Sequence, residues 1–82
     1  MTVRIRLFGE LKRYLPEGQT GRTARVEVPE GLTAQQLILR LGIPYGDHEG
    51  PIVVAVNDVE REHGVVLRDG DTVSLFEPLA GG

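Results

Sequence analysis

The sequence predicts an α+β fold in which one main helix packs on one face of a sheet of four to five strands. Three observations indicate it: residues 2–7 alternate polar and apolar side chains, residues 34–41 carry apolar side chains at helical spacing, and residues 52–56 are continuously apolar. Alternation is typical of a half-buried strand, and spacing of three to four is typical of a helix with one buried side. The expected order of strand, strand, helix, strand, short strand, strand favours a helix layered on a sheet.

The first two strands are expected at residues 2–7 and 23–28, joined as a hairpin. Their core-facing residues alternate, with Val3, Ile5 and Leu7 in the first strand and Ala24, Val26 and Val28 in the second. Between them, residues 10–15 are expected to form a short helical turn that Pro16 ends. The turn-rich residues 16–22 complete the connection.

The main helix is predicted at residues 34–41. Thr33 followed by Gln36 fits a capping box, in which each side chain bonds the backbone of the other residue. Gly42, with Pro44 two residues later, gives a plausible end. The apolar residues of this segment are Ala34, Leu37, Ile38 and Leu41.

The second half of the chain predicts three further strands. Residues 52–56 fit a central strand buried on both faces, and residues 59–66 include a short edge strand. Asn57 and Asp58 indicate a turn, and Gly70 is expected at positive φ in a second turn. Residues 72–76 form the last strand, with Val73 and Leu75 facing inward.

Composition narrows the class of function. At 82 residues the chain is one domain, too small for a core and a deep catalytic pocket, so a carrier or binding module is favoured. The net charge of −3 gives no basic footprint for nucleic acid. The absence of cysteine excludes disulfides, a cysteine-ligated cluster and a thiol nucleophile. The first residues resemble neither a signal peptide nor a membrane span, so we expect a cytoplasmic protein.

The last residues are the candidate active end. We expect residues 1–77 to form the domain and residues 78–82 to form a flexible tail ending in Gly81 and Gly82. Two residues without Cβ fit a narrow channel in another protein, and Pro78 favours a straight exit that reaches about 17 Å from the body. The Gly82 carboxylate is ionised near neutral pH and therefore needs activation from outside. A terminus without function is the alternative.

Other polar groups are weaker candidates. Asp47, His48 and Glu49 could bind a metal, but adjacent residues in a loop are more typical of a solvated turn. His63 receives no role, and Asp69 and Asp71 are expected to serve a turn. Four arginines could cluster on one sheet face, which is usually a solvated surface but which an acidic partner could use: Arg4, Arg6, Arg13 and Arg25.

Several motifs resemble the MoaD/ThiS family of ubiquitin-like sulfur carriers, and its MoaD branch in particular, over essentially the whole chain. The motifs are Arg-Leu-Phe-Gly-Glu-Leu-Lys at 6–12, Pro-Glu-Gly-Leu-Thr at 29–33, Val-Ala-Val-Asn at 54–57, Leu-Arg-Asp-Gly-Asp-Thr-Val at 67–73 and Phe-Glu-Pro-Leu-Ala-Gly-Gly at 76–82. Two positions differ from the usual pattern. Asp58 stands where the family often has Gly, and Glu77 stands where the MoaD branch often has Pro.

The resemblance implies a β-grasp fold with a mixed sheet, and a carrier that binds no stable cofactor or metal. An E1-like enzyme of the MoeB/ThiF kind would use ATP and magnesium to adenylate Gly82, and a sulfurtransferase would supply sulfur to give a thiocarboxylate. The loaded tail would then enter a MoaE-like large subunit of molybdopterin synthase, whose small subunit would be this chain. The pterin product later binds molybdenum or tungsten. No nucleic acid or membrane partner is implied.

The resemblance also implies which residues act. Gly82 would carry the acyl-adenylate and then the sulfur, beside Gly81. Phe8 and Phe76 match the family's apolar docking positions, and both lie at predicted strand ends near the tail, which favours an interface over the core. A ring that caps the core is the alternative reading. Further partner contacts would come from the tail residues Pro78, Leu79 and Ala80.

Three alternative functions remain open from the sequence. The carrier could supply sulfur for thiamin, cysteine or a thiolated tRNA, or the chain could be a ubiquitin-like modifier joined to lysines through Gly82. A β-grasp binding module with an inert tail is the third. A stand-alone enzyme is disfavoured, since no set of nucleophile, base and pocket is recognisable.

Overall fold

The chain forms one sheet and one main helix, as predicted. The computed structural model describes residues 1–16, 21, 23–44 and 52–77. Its strands are β1 (Thr2–Leu7), β2 (Thr23–Glu27), β3 (Val53–Val56), β4 (Val59–Arg61) and β5 (Thr72–Phe76). The helix α1 spans Ala34–Arg40, and a 3₁₀ helix spans Gly9–Tyr14.

The sheet is mixed, with strand order β2-β1-β5-β3-β4. β1 runs parallel to β5, and the other neighbouring pairs are antiparallel. A parallel pair needs a long crossover, and here α1 lies in the chain between the two strands. In this strand order the middle strand is β5, the last strand in the chain. The prediction that the apolar run at 52–56 is the central strand was wrong.

The core lies between α1 and one face of the sheet. The inward residues of β1, β3 and β5 are buried with Leu37 and Ile38 of α1 in one hydrophobic cluster. Burial of each large side chain contributes about 1.5–3 kcal/mol. The sheet members of this cluster include Val3, Ile5, Leu7, Val54, Val56, Val73 and Leu75.

Burial of β3 on both faces, expected from its continuous apolar run, is not observed. Val54 and Val56 are buried, whereas Val53 and Ala55 are only half-buried. The core side of β3 is covered by the hydrophobic cluster, and its other side carries the two half-buried residues. The run is thus a strand with one buried face and one apolar outer face.

Hydrogen bonds fix both ends of α1. The predicted capping box is present, with Gln36 N donating to Thr33 Oγ1 at 3.2 Å and Thr33 N donating to Gln36 Oε1 at 2.9 Å. At the other end, Ile43 N donates to Ile38 O at 3.3 Å, which closes the last turn. The helix ends at Arg40, one residue before the predicted last residue, Leu41.

Two turns hold the start of β5. Asn57 and Asp58 take positive φ values of 51° and 69°, and Gly70 takes 85°, as predicted for Gly70. Asn57 Oδ1 accepts from Thr72 N at 3.0 Å, and Asn57 Nδ2 donates to Asp71 Oδ1 at 3.0 Å. The β3–β4 turn is therefore bonded directly to the first residue of the central strand.

Within the described ranges, no helix is long and apolar enough to cross a membrane.

Candidate functional site

The face of the sheet opposite α1 carries the candidate site. Successive strand residues point to opposite faces, so the neighbours of the buried residues share this outer surface. We name it the helix-free face, and its members are Thr2, Arg4, Arg6 and Phe8 on the β1 side, Thr23, Arg25 and Glu27 of β2, Val53 and Ala55 of β3, Glu60 of β4, and Thr72, Ser74 and Phe76 of β5.

An aromatic pair lies at the end of β1 and β5. The parallel register pairs Leu7 with Leu75, so the next residues, Phe8 and Phe76, lie side by side. Their ring centroids are 6.2 Å apart and the planes are perpendicular, at 90°. This is the edge-to-face geometry that aromatic rings favour. Phe76 is 37 % exposed and Phe8 is half-buried, so neither ring belongs to the buried core.

The chain leaves the sheet beside this pair. Phe8 N donates to Leu75 O at 3.2 Å, and Val53 pairs with Phe76 on the other side. At Gly9 the backbone takes a φ of 59°, a conformation that L residues with a Cβ rarely adopt. The chain after β1 therefore turns aside into the 3₁₀ helix. Residue 77, the last described residue, follows Phe76 at the end of β5, between β1 and β3.

The predicted reacting end itself is not part of the described structure. Pro78, Leu79, Ala80, Gly81 and Gly82 all lie outside the described residues. Their roles stay predictions. The structure places the point from which they depart.

Arg6 connects the aromatic pair to the β3–β4 turn. Its Cζ lies 5.5 Å from the Phe8 ring centroid, within the range of a cation–π interaction. Its Nη1 lies 3.5 Å from Asp58 Oδ1, and the two side chains are 38 % and 85 % exposed. Such an exposed ion pair contributes little to stability. It does hold the guanidinium beside the ring.

Sequence reasoning placed Arg6 only in a possible cluster of arginines, and it put neither Arg6 nor Asp58 beside the aromatic pair. The signal for Arg6 was present, because a residue two places before Phe8 in a strand must share its face. The contact with Asp58 had no local signal, since it depends on strand order. Asp58, which differs from the family pattern, thus contacts Arg6, and Arg6 in turn lies beside the Phe8 ring.

A basic area continues from the aromatic pair along the same face. Arg4 pairs with Arg25 across β1 and β2, and Arg6 is the next outward residue of β1. An open depression of about 320 Å³ lies here, lined by Arg4, Arg6, Thr23, Asn57, Asp58 and Thr72. The predicted cluster is thus confirmed for three arginines. Arg13 lies in the 3₁₀ helix, with its Cζ 5.3 Å from the Tyr14 ring centroid.

The carboxylates of Asp69 and Asp71, in the turn before β5, accept hydrogen bonds from backbone N–H groups. Asp69 Oδ1 accepts from Thr2 N at 2.7 Å, and Asp71 Oδ2 accepts from Arg68 N at 2.8 Å. These bonds to backbone agree with the predicted role of both residues in a turn.

His63 is also structural, since its Nε2 bonds Ile52 O and its carbonyl accepts from Gln35 N at 2.9 Å. Asp47, His48 and Glu49 lie outside the described residues. Across the ranges that are described, no group of three or more potential metal ligands occurs.

Comparisons with known proteins agree with this architecture. The model of the ThiS family matches residues 5–82. No curated protein sequence matches the chain. Among solved structures, small archaeal modifier protein 1 from H. volcanii is 26% identical with a TM-score of 0.72, over 95% of this chain and 98% of that one.

Two further structures are similar. A chain of the protein–protein complex of subunits 1 and 2 of molybdopterin-converting factor from Helicobacter pylori 26695 is 25% identical over 100% of both chains, with a TM-score of 0.61. A Pyrococcus furiosus protein provisionally named molybdopterin converting factor subunit 1 is 22% identical, over 95% of this chain and 98% of that one, with a TM-score of 0.71. That last likeness concerns the fold alone.

A mixed five-stranded sheet with one main helix is the β-grasp arrangement expected from the sequence motifs. The family model covers all but the first four residues of this arrangement, including every strand's core positions after Val3. The chain is a member of the ThiS family of ubiquitin-like sulfur carriers, with a β-grasp fold.

Proposed function

We propose that this chain is the small subunit of molybdopterin synthase, which carries sulfur on Gly82 as a thiocarboxylate and gives it to a pterin precursor. The observation that carries the proposal is the position of β5. The middle strand of the sheet ends at Phe76, in the partly exposed Phe8–Phe76 pair, one residue before residues 78–82 are reached along the chain. A partner that binds the pair is then placed to receive the tail.

The rigidity of this exit supports a presenting role. β5 pairs with a strand on each side, and Phe76 itself is paired with Val53. The start of β5 is bonded to Asn57, so the strand is held at both ends. Groups that must enter a partner's active site are placed best by rigid elements. The tail can therefore be short and still arrive in a defined direction.

The comparisons support the choice of pathway. The H. pylori structure, 25% identical, is a complex of subunits 1 and 2 of molybdopterin-converting factor. By analogy, the second subunit for this chain would be a MoaE-like large subunit. The Phe8–Phe76 pair would be its docking contact, since partly exposed aromatic rings are typical anchors of interfaces.

The chemistry proposed for Gly82 needs an activating partner. A carboxylate oxygen of Gly82 forms a bond to the α-phosphorus of ATP and pyrophosphate leaves. A sulfide-equivalent sulfur then attacks the acyl carbon and AMP leaves, giving the thiocarboxylate. An E1-like enzyme with ATP and magnesium performs the first step, and a sulfurtransferase supplies sulfur for the second. This chain contributes the acyl group and the docking surface.

The test is a reconstituted sulfur transfer. Full-length protein would be incubated with the MoeB/ThiF-like enzyme of its own organism, ATP, magnesium and inorganic sulfide, and its intact mass would be measured. We expect one terminal oxygen to be replaced by sulfur. The loaded protein would then be mixed with the MoaE-like subunit and the cyclic pterin precursor, and dithiolene formation would be followed.

A matched control is the chain without Gly82, which keeps the whole described fold. It should be neither adenylated nor loaded. Formation of the dithiolene by this truncated chain would refute the proposal. Sulfur loading without transfer to the pterin, but with transfer in a thiamin, cysteine or tRNA thiolation assay, would keep the carrier and change its acceptor.

One observation favours a second candidate function. The H. volcanii small archaeal modifier protein 1 is 26% identical and has a TM-score of 0.72. We therefore keep a modifier that is joined to lysines through Gly82 as the alternative. Isopeptide-linked conjugates in a cell extract, lost when Gly82 is deleted, would support it over the carrier.

A further inference from the structure

We propose that Asp58 is a positioning residue for docking. Its carboxylate holds the Arg6 guanidinium on the Phe8 ring, so that the ring is already ordered when the MoaE-like large subunit binds. The inference rests on the proposed function, because it takes the large subunit as the partner that covers this ring. It gives a role to a turn residue that is not itself part of the aromatic pair.

The first observation is the backbone conformation of Asp58. Val56 pairs with Val59 in the β3–β4 hairpin, so Asn57 and Asp58 form a two-residue loop, and their φ values are 51° and 69°. A type I′ turn needs positive φ at both of these residues, and glycine is the usual residue at the second. An L residue with a Cβ is less favourable in this conformation. The backbone alone thus favours glycine over aspartate at position 58.

The second observation is that the turn does not depend on the Asp58 carboxylate. The neighbouring Asn57 bonds the turn to the start of β5, since its Oδ1 accepts from Thr72 N and its Nδ2 donates to Asp71 Oδ1, both at 3.0 Å. The Asp58 side chain is 85 % exposed, and its Oδ1 lies 3.5 Å from Arg6 Nη1. Residues held in an unfavourable backbone conformation cluster at functional sites. The contact with Arg6 is what aspartate adds at this position.

The third observation is the path of the Arg6 side chain. β5 lies between β1 and β3 in the sheet, so this side chain crosses β5 to reach the turn that follows β3. Ser74, the β5 residue in register with Arg6, is only 5 % exposed although it lies on the helix-free face. That burial agrees with a side chain laid across the strand. The guanidinium Cζ also lies 5.5 Å from the Phe8 ring centroid, so one side chain joins the turn to the ring.

Asp58 changes what a partner must supply around the Phe8 ring. A partner that binds the ring also covers the Arg6 guanidinium, since the two are in contact. Ordering a side chain on binding lowers affinity, and order that already exists in the free chain removes this cost. A guanidinium covered without an acceptor is also unfavourable, and Asp58 supplies the acceptor within the chain. The surface therefore fits a socket that is apolar around the ring and has no carboxylate of its own for Arg6.

The experiment measures binding of the full chain to the MoaE-like large subunit of its own organism by calorimetric titration. The test variant is Asp58→Asn, which removes the charge and keeps a residue that tolerates positive φ. The control is Glu60→Gln on the same face, three strands or about 14 Å from Arg6, which changes the net charge equally, from −3 to −2. A thermal melt follows stability. The NMR shift of the Arg6 δ protons in the free chain, moved upfield by the Phe8 ring, reports whether Arg6 stays on the ring.

We expect Asp58→Asn to weaken binding about fivefold, because Arg6 must then be ordered and paired by the partner. The upfield shift of the Arg6 δ protons should shrink in the same variant. Glu60→Gln should stay within about twofold of the wild type in affinity and keep the shift. In an Arg6→Gln background, Asp58→Asn should have no further effect on affinity, since a residue that acts through Arg6 is fully coupled to it.

A second variant, Asp58→Gly, separates docking from stability. It should raise the melting temperature by about 3 °C, because glycine suits the positive φ, while it weakens binding as much as Asp58→Asn does. A residue that only stabilised the turn would change both values in the same direction. A lower melting temperature for Asp58→Gly would therefore overturn the proposal.

Other results would also overturn it. Equal losses of affinity in Asp58→Asn and Glu60→Gln would mean that only the net charge matters. A loss that persists in the Arg6→Gln background would mean that Asp58 contacts the partner directly. If the wild type binds the large subunit and Asp58→Asn binds it equally well, this inference fails and the proposed function stands. If the wild type does not bind, the proposed function fails, and this inference fails with it.

Discussion

The two faces of β1 differ in how deeply their side chains are buried within the chain. On the core side, Val3 and Ile5 are fully buried as members of the hydrophobic cluster. On the other side, Arg4 faces another arginine, while the Phe8 ring touches a guanidinium and a partly exposed ring. One face is packed in the hydrophobic core, and the other keeps charged and aromatic side chains at the surface. The candidate site is therefore recognised by aromatic and charged side chains that stay outside the hydrophobic core.

The largest effect on stability is expected from the core side of β1. Ile5→Ala should lower the free energy of unfolding by about 3–4 kcal/mol, because it removes buried methyl groups and leaves a cavity. Urea denaturation measures the loss. The neighbouring change Arg6→Ala, on the other face, should cost about 0.5 kcal/mol or less. Equal losses from the two substitutions would mean that the faces do not differ as described.

The second-largest effect is expected on the helix-free face, where a substitution should weaken partner binding more than it lowers stability. Phe76→Ala should weaken binding to the MoaE-like large subunit about 30-fold, as expected for an aromatic anchor worth about 2 kcal/mol. It should cost only about 1 kcal/mol of stability, since the ring is 37 % exposed and loses mainly its edge-to-face contact. Calorimetric titration and a thermal melt give the two values.

The matched control is Leu39→Ala, which removes an apolar side chain that is 56 % exposed on α1. Its affinity for the MoaE-like large subunit should equal that of the wild type. If Leu39→Ala weakens binding as much as Phe76→Ala, exposed apolar area in general would matter, and the aromatic pair would lose its special role.

The core side of the sheet was predictable from sequence because the patterns that indicate it span only a few neighbouring residues. Alternation placed Ile5 inside, and the capping-box pattern of Thr33 and Gln36 correctly indicated where α1 begins. Each of these signals lies within a few residues of chain. The main error concerned β3, whose continuous apolar run also fits a strand with one covered face.

The candidate site was predicted only in part, because its geometry depends on strand order. Phe8 and Phe76 were singled out as residues near the tail, but their edge-to-face contact follows from the parallel pairing of β1 with β5. The contact between Arg6 and Asp58 joins positions 52 residues apart in the chain. No local pattern encodes a pairing of that kind.

A smaller effect tests whether a position on the helix-free face can behave like core. Ser74 is only 5 % exposed, and its hydroxyl forms no hydrogen bond with any residue that the structure describes. Ser74→Val should raise the free energy of unfolding by about 1 kcal/mol, since a buried hydroxyl is replaced by apolar atoms in a strand. Ser74→Thr, which keeps the hydroxyl and adds the same branching, is the control. A Thr variant as stable as the Val variant would show that the hydroxyl is satisfied.

The smallest effect concerns the cost of holding two arginines opposite each other. Arg4→Glu should raise the free energy of unfolding by about 0.5 kcal/mol, because an attractive pair with Arg25 replaces a repulsive one. Arg4→Gln should give about half of that gain, and both gains should shrink as salt is added to about 0.5 M. Denaturation at two salt concentrations measures them. A loss of stability on Arg4→Glu would instead mean that Arg4 is already paired with a carboxylate of the chain.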